Sequence, residues 1–297
     1  MYRVVTMTKN GYNQQNIKEF YEKMSFLFRL TLGVHNSHYF KKLEARRRNF
    51  IDGYIKHNNG YPYLLDLGCG GGGRLIYFAQ QGVNLGLDLS MQTVKICEEK
   101  CVRARLKRIL LVVGDAAKLP LHQKCLDFVV CCDLIEHVVA PGKMPQEINR
   151  CLKPGGTLIL VTPNAHSLNQ KAVYPLLHLF LAIVTSPIRA FRSKNVMKAL
   201  NEYSKYVFEV SNEFSIQQHY HEFSYKVLID LIERNRFSLV DSYLCGFIHD
   251  SFPHQLCYTS DGFSKVWNLF TKGLERLLPK FLKIHLLRDI IVVLKKE

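Results

Sequence analysis

The sequence predicts an α/β fold: a mostly parallel sheet of seven strands with helices on both faces, covered by a helical cap drawn from the N-terminus and two insertions. Three observations carry this expectation. Between Tyr63 and Thr162, short β-rich runs alternate with helix-like segments, which is the pattern of a parallel sheet built from strand–helix–strand units. The β-rich runs are apolar at nearly every position, as strands covered on both faces are. The first run ends in a string of glycines, Gly68 and Gly70 to Gly73, where a chain leaving a strand must turn tightly into a helix.

The elements follow in order. Tyr63–Leu67 is a first strand, followed by the glycine run and a helical pattern through Gln81. Asn84–Asp88 is a second strand, with a helix over Met91–Ala104 after it. Ile109–Val113 and Leu126–Cys132 are strands three and four, then come a helix over Lys143–Leu152 and a fifth strand at Thr157–Val161. Ser224 caps a helix that runs to Asn235, Phe237–Leu244 is a sixth strand, and Asp289–Leu294 is the last. The first 60 residues read as helical, above all Ile17–Leu30 and Tyr39–Lys56, and so do the insertions. The expected organisation is an N-terminal helical cap segment (1–60), a core (61–164), a helical insertion serving as a lid (165–222), and a C-terminal part of the fold (223–297) that holds a second insertion at about 246–287.

Of the 297 residues, 47% are hydrophobic and 22% charged, the balance of a folded globular chain and not of a disordered one. The formal net charge is +15. Residues 1–60 hold 11 Lys/Arg against 4 Asp/Glu, residues 61–165 hold 12 against 9, and residues 166–297 hold 17 against 12. The excess therefore sits mainly in the flanks, and it suits an anionic partner: nucleic acid, an acidic membrane surface or a phosphorylated substrate. The nine cysteines show neither zinc-ligand spacing nor a disulfide framework, so a reduced, cytoplasmic chain is expected. The opening MYRVVTMTKNGYNQQ has no apolar signal segment. The longest apolar stretch, Tyr174–Val184, is interrupted by Pro175 and His178 and is too short to span a bilayer.

The strongest chemical signal is Leu64-Leu65-Asp66-Leu67-Gly68-Cys69-Gly70-Gly71-Gly72-Gly73. Gly68, Gly70 and Gly73 satisfy the G-x-G-x-x-G fingerprint of a Rossmann-like nucleotide site. Asp88, with Leu89 after it, ends the second strand 20 residues after Gly68, where a carboxylate can accept hydrogen bonds from both ribose hydroxyls. The same Asp88-Leu89-Ser90 could instead cap the following helix. Neither feature separates a dinucleotide from another nucleoside cofactor. Three others do: Asp66 stands where dinucleotide binders usually carry an apolar residue, Gly114-Asp115-Ala116 follows the third strand, and Leu152-Lys153-Pro154-Gly155-Gly156 precedes the fifth.

On these residues the stretch from about Tyr63 to Asn164 resembles the core of the class I S-adenosylmethionine (SAM)-dependent methyltransferases. It is closest to the broad group that includes the ubiquinone and menaquinone biosynthesis enzymes. The resemblance implies SAM as cofactor. Gly68, Cys69 and Gly70 would line its methionine part, with Asp66 holding that loop. Asp88 and Leu89 would receive the ribose, Asp115 and Ala116 the adenine, and Asp133 would face the methionine end and the reacting centre.

Asp133-Leu134-Ile135-Glu136-His137-Val138 is similar to the D/E-x-x-E-H-V segment of the ubiquinone-pathway O-methyltransferases. Three readings stay open: Glu136 and His137 orient the loop, His137 acts as a general base, or Asp133, Glu136 and His137 gather a divalent cation, the last not favoured. His166, His219 and His221 are further candidate groups. The expected activity is methyl transfer to a small-molecule or lipid-like acceptor, oxygen ahead of carbon. Apolar runs flanked by Lys and Arg in the insertions suit a hydrophobic acceptor or peripheral contact with an anionic membrane. The runner-up is an RNA methyltransferase using the basic flanks, especially Lys41-Lys42 and Arg46-Arg47-Arg48, and a SAM-binding protein without catalysis is the third reading.

Overall fold

A computed structural model describes residues 38–57, 63–78, 83–106, 108–165, 221–245 and 289–297, together with Ser167, Leu277, Pro279 and Leu287. The chain divides into two compact units, one of residues 12–165, 221–246 and 288–297, the other of residues 1–11, 166–220 and 247–287. The expectations for Ile17–Leu30 and, isolated residues apart, for the two insertions lie outside the described residues, as do His166 and His219.

The apolar runs become the strands β1 (Tyr63–Leu67), β2 (Val83–Asp88), β3 (Ile109–Val113), β4 (Leu126–Cys132), β5 (Leu152–Pro163), β6 (Phe237–Cys245) and β7 (Asp289–Lys296). They form one seven-stranded sheet in the order β3-β2-β1-β4-β5-β7-β6. The first five are parallel, while β7 runs antiparallel between β5 and β6. β1 and β4 are neighbours, so the strand order reverses between them and leaves the crevice at their carboxyl ends where open α/β sheets bind ligands. β5 starts earlier than its apolar run suggests. Leu126 pairs with Leu152, a register irregularity follows, and Phe128 then pairs with Thr157. The Lys153–Gly156 turn, with Gly155 at φ +70°, is thus a bulge within the strand.

The helices are α1 (His38–His57), α2 (Gly73–Phe78), α3 (Met91–Arg103), α4 (Lys143–Cys151) and α5 (Tyr225–Glu233). Capping follows the sequence: Ser90 Oγ accepts from Thr93 N, and Ser224 Oγ from Val227 N, satisfying N–H groups that a helix start leaves without partners. On α1, Ile51 and Ile55 lie one turn apart on the face that carries Arg47. They pack with Phe78 against Leu64, Phe128, Val130, Ile159 and Val293 on one side of the sheet. By strand alternation Leu65, Val129, Leu158 and Val292 point to the other side. They are fully buried, as are Met144 and Ile148 of α4 and Leu228 and Ile232 of α5, and α4 and α5 lie against β5 and β6. Each such side chain withdrawn from water contributes roughly 1.5–3 kcal/mol. Two-sided burial is why these strands read as unbroken apolar runs. Among the described residues no helix is long and apolar enough to cross a membrane.

Candidate cofactor site at the carboxyl edge of the sheet

The glycine run is a loop held by β2. Gly68 N and Cys69 N both donate to Leu87 O, at 2.8 and 3.0 Å, and Gly72 N donates to Cys69 O at 2.9 Å. Gly68, Gly70 and Gly72 have φ of +76°, +49° and +79°, a left-handed conformation that costs a residue with a Cβ roughly 1–2 kcal/mol. A Cβ on Gly68 would lie 3.1 Å from the Leu134 side chain, and one on Gly72 would lie 2.4 Å from Cys97 Sγ. Around Gly70, among the described residues, no atom comes within 4 Å of the Cβ position. The loop is therefore packed underneath and open at Gly70, so a ligand can lie directly on the main chain.

Asp66 is fully buried beneath this loop, where its charge helps to raise the Cys69 thiol. Cys69 is itself nearly buried; a hydrogen bond with Cys97, then burial, keep its thiol protonated, so it behaves as a small apolar side chain. Asp88 does two things at once. Its Oδ2 accepts from Gly70 N at 2.9 Å, and its Oδ1 accepts from Ser90 N and Thr93 Oγ1 at 3.0 and 2.9 Å. It ties the glycine loop to the start of α3, and Leu89, half-buried, follows it in the turn. A carboxylate has about four acceptor directions, so it can do this and still receive a hydroxyl. At the end of β3, Asp115 Oδ1 accepts from Ala117 N at 2.9 Å and Asp115 O from Lys118 N at 3.0 Å. The turn is tight, with Ala116 buried within it.

Asp133 closes β4 at φ +53°, an unusual conformation for a residue with a side chain and one associated with sites. Two arginines hold it: Oδ2 lies 2.7 Å from Arg47 Nη1 and 3.2 Å from Arg74 Nη2. Arg47 reaches onward, with Nη2 2.9 Å from Asp289 Oδ2 at the start of β7. Its side chain is 5% exposed and that of Asp289 0%. Sequence reasoning assigned Arg46-Arg47-Arg48 to a basic flank. Arg47 instead turns inward, and Arg48 lies over the Tyr77 ring at 4.5 Å. Arg74 was not singled out either; its place directly after the glycine run was the only available signal.

The turn Ile135–His137 carries the remaining candidates. Glu136 is buried, and its Oε2 accepts from Thr162 Oγ1 at 3.0 Å. Burial, reinforced by the nearby Asp133 charge, pushes its carboxyl up to about 8. Among the described residues no three His, Cys, Asp or Glu side chains are placed to hold one ion. His137 Nε2 is 3.9 Å from Glu136 Oε1, beyond hydrogen-bond range. Of the other histidines, His221 is described: its N donates to Glu136 O at 3.2 Å.

Comparison with known proteins fits this geometry. Residues 65–160 match the family model described as a methyltransferase domain. A ubiquinone biosynthesis O-methyltransferase of Leptothrix cholodnii is 30% identical over 41% of this chain and 53% of its own length. A norajmaline N-methyltransferase of Rauvolfia serpentina is 28% identical over 54% and 62%, and a sterol 4-C-methyltransferase of Caenorhabditis elegans 30% over 39% and 36%. The chain thus spans about half the length of the curated relatives it matches. Among solved structures, the geranyl diphosphate C-methyltransferase of Streptomyces coelicolor superposes with a TM-score of 0.52 at 14% identity, over 86% of this chain and 80% of that one, a likeness of fold.

Proposed function

We propose that this chain, whose residues 65–160 match a methyltransferase domain of the class I type, is an enzyme that transfers a methyl group from SAM to a small-molecule or lipid-like acceptor, oxygen ahead of carbon. The observation that carries the reading is the spacing of Asp88, Asp115 and Asp133 at the ends of β2, β3 and β4 around a glycine loop open at Gly70. Across the sheet, in the order β3-β2-β1-β4, this puts Asp115, Asp88 and Asp133 in the sequence that suits the adenine amine, the ribose and the amino acid end of one elongated ligand. The relatives are, by name, an O-methyltransferase of ubiquinone biosynthesis, a norajmaline N-methyltransferase and a sterol 4-C-methyltransferase, which supports the acceptor class and leaves the atom to experiment.

SAM supplies an electrophilic methyl on a sulfonium, so little acid–base work remains for the protein and rate comes from positioning. In this reading the main chain at Gly68–Gly70 takes the methionine part against its surface, Asp88 holds the ribose side, and Asp115 orients the base. Asp133, fixed by Arg47 and Arg74, sets the reacting end. His137, beside Glu136, is the group for receiving an acceptor proton. Its replacement by alanine should leave cofactor affinity intact and lower turnover; unchanged turnover removes it from the mechanism. The RNA reading loses part of its support, because Arg47 and Arg48 are engaged within the fold.

The test is calorimetric titration with S-adenosylhomocysteine, followed by radiolabelled SAM with a lysate depleted of other methyltransferases. Label in organic or small polar fractions supports the proposal. Label in RNA overturns the acceptor class, and cofactor binding without label in any fraction favours a non-catalytic SAM-binding protein.

A further inference from the structure

The loop that leaves β3 turns on itself at Asp115 and then has to be fixed to the body of the domain. Helix α4 does this through two side chains three residues apart. Arg150 and Glu147 form a bidentate pair: Nε donates to Oε1 at 2.9 Å and Nη2 to Oε2 at 2.9 Å. Both then reach the same tripeptide. Leu119 N donates to Glu147 Oε2 at 2.9 Å, Arg150 Nη2 donates to Leu119 O at 3.0 Å, and Arg150 Nη1 donates to Leu121 O at 2.8 Å. Between the gripped residues lies Pro120, packed on the loop's origin: a Cβ on Gly114 would be 3.1 Å from Pro120 Cδ. Gly114 immediately precedes Asp115, so a displacement of 119–121 passes directly to the carboxylate.

A half-buried pair three residues apart on one helix does little for stability by itself, and α4 is anchored without this one by Met144, Ile148 and Cys151, all fully buried. The pair's polar atoms go instead to the main chain of a single loop, through charge-assisted hydrogen bonds, the stronger kind. Arg150 in turn keeps Glu147 ionised, holding its carboxyl below the usual range.

We infer that Glu147 and Arg150 are positioning residues that set the register of the adenine-side loop 114–121, and so tune nucleoside affinity without touching the ligand. The inference rests on the reading of Asp115 as the adenine contact. Its test uses the full chain, S-adenosylhomocysteine titrations and amide hydrogen exchange on the wild type, R150A, E147Q, D115N and the D115N/R150A double variant. R150A and E147Q should each weaken S-adenosylhomocysteine about tenfold, with faster exchange confined to residues 115–121. R150K, which keeps the charge but not the fork, should fall between. In the D115N background, R150A should cost no more than about twofold, because the loop's contact is already lost. Losses that multiply undiminished in the double variant, or unchanged exchange at 115–121 in R150A, would overturn the inference. A wild type without affinity for S-adenosylhomocysteine would instead sink the cofactor reading, and the exchange data would still decide whether the pair holds the loop.

Discussion

Replacing Glu136 with glutamine should remove a pH dependence of stability that the wild-type chain carries. Unfolded, this carboxyl releases its proton near 4.5; folded, burial and the Asp133 charge hold the proton until about pH 8. Between those values the folded chain keeps a proton that the unfolded chain has released, so rising pH favours unfolding. The stabilising contribution is therefore fully present below about 4.5 and is lost as pH rises through about 8. Each unit of the interval corresponds to about 1.4 kcal/mol. The whole interval amounts to about 5 kcal/mol, an upper figure because water entering the pocket would ease the ionised state. Glutamine has the size of the neutral acid, and its carbonyl can accept the Thr162 hydroxyl that Glu136 Oε2 accepts now. Urea denaturation of both proteins across about pH 5 to 9 should give similar stabilities at the acid end. At the alkaline end the wild type should fall below E136Q by a few kcal/mol. Parallel profiles would refute the reasoning and mean that Glu136 is already ionised in the fold.

Three further outcomes are expected. Arg47→Met should destabilise the chain by about 3–5 kcal/mol, because it takes the shared cation from Asp133 and Asp289, contacts now at 2.7 and 2.9 Å; a loss under about 1 kcal/mol in chemical denaturation would deny the bridge its role. Gly72→Ala should cost roughly 2–4 kcal/mol from the left-handed backbone and the collision with Cys97 Sγ. Gly73→Ala, in open space at the first turn of α2, should be neutral or stabilising by about 0.5–1 kcal/mol, and equal melting shifts for the two would contradict this account of the loop. Asp88→Asn, which turns an acceptor toward Gly70 or Ser90 into a donor, should weaken S-adenosylhomocysteine roughly tenfold to a hundredfold; calorimetry showing less than about a threefold change would leave Asp88 only as the tie between the glycine loop and the start of α3.

Much of the framework is local and was legible in the residues. The strands at 63–67, 109–113 and 126–132 are runs that only two-sided burial explains, and their bounds agree with the structure. Ser90 and Ser224 cap helices where a hydroxyl before an apolar pattern says they should. At Asp88 the structure adds a contact the sequence did not suggest: Ser90 caps α3, while Asp88 holds Ser90 N and Thr93 Oγ1 and also grips the glycine loop at Gly70 N, since one carboxylate serves several donors.

What the sequence determined by itself is what neighbouring residues decide: strand from apolar run, turn from glycine, and a carboxylate at the end of each strand where a parallel sheet opens. The tertiary structure alone decided which distant groups meet. Arg47 finds Asp133 from 86 residues away and Asp289 from the far end of the chain, Arg150 grips Leu119 and Leu121, and β7 enters between β5 and β6. Nothing local marks a buried arginine in a row of three as different from its neighbours, or a glutamic acid as neutral. Charge and protonation depend on how much water and which opposite charge the fold leaves around a side chain, and that is settled only when the chain has closed.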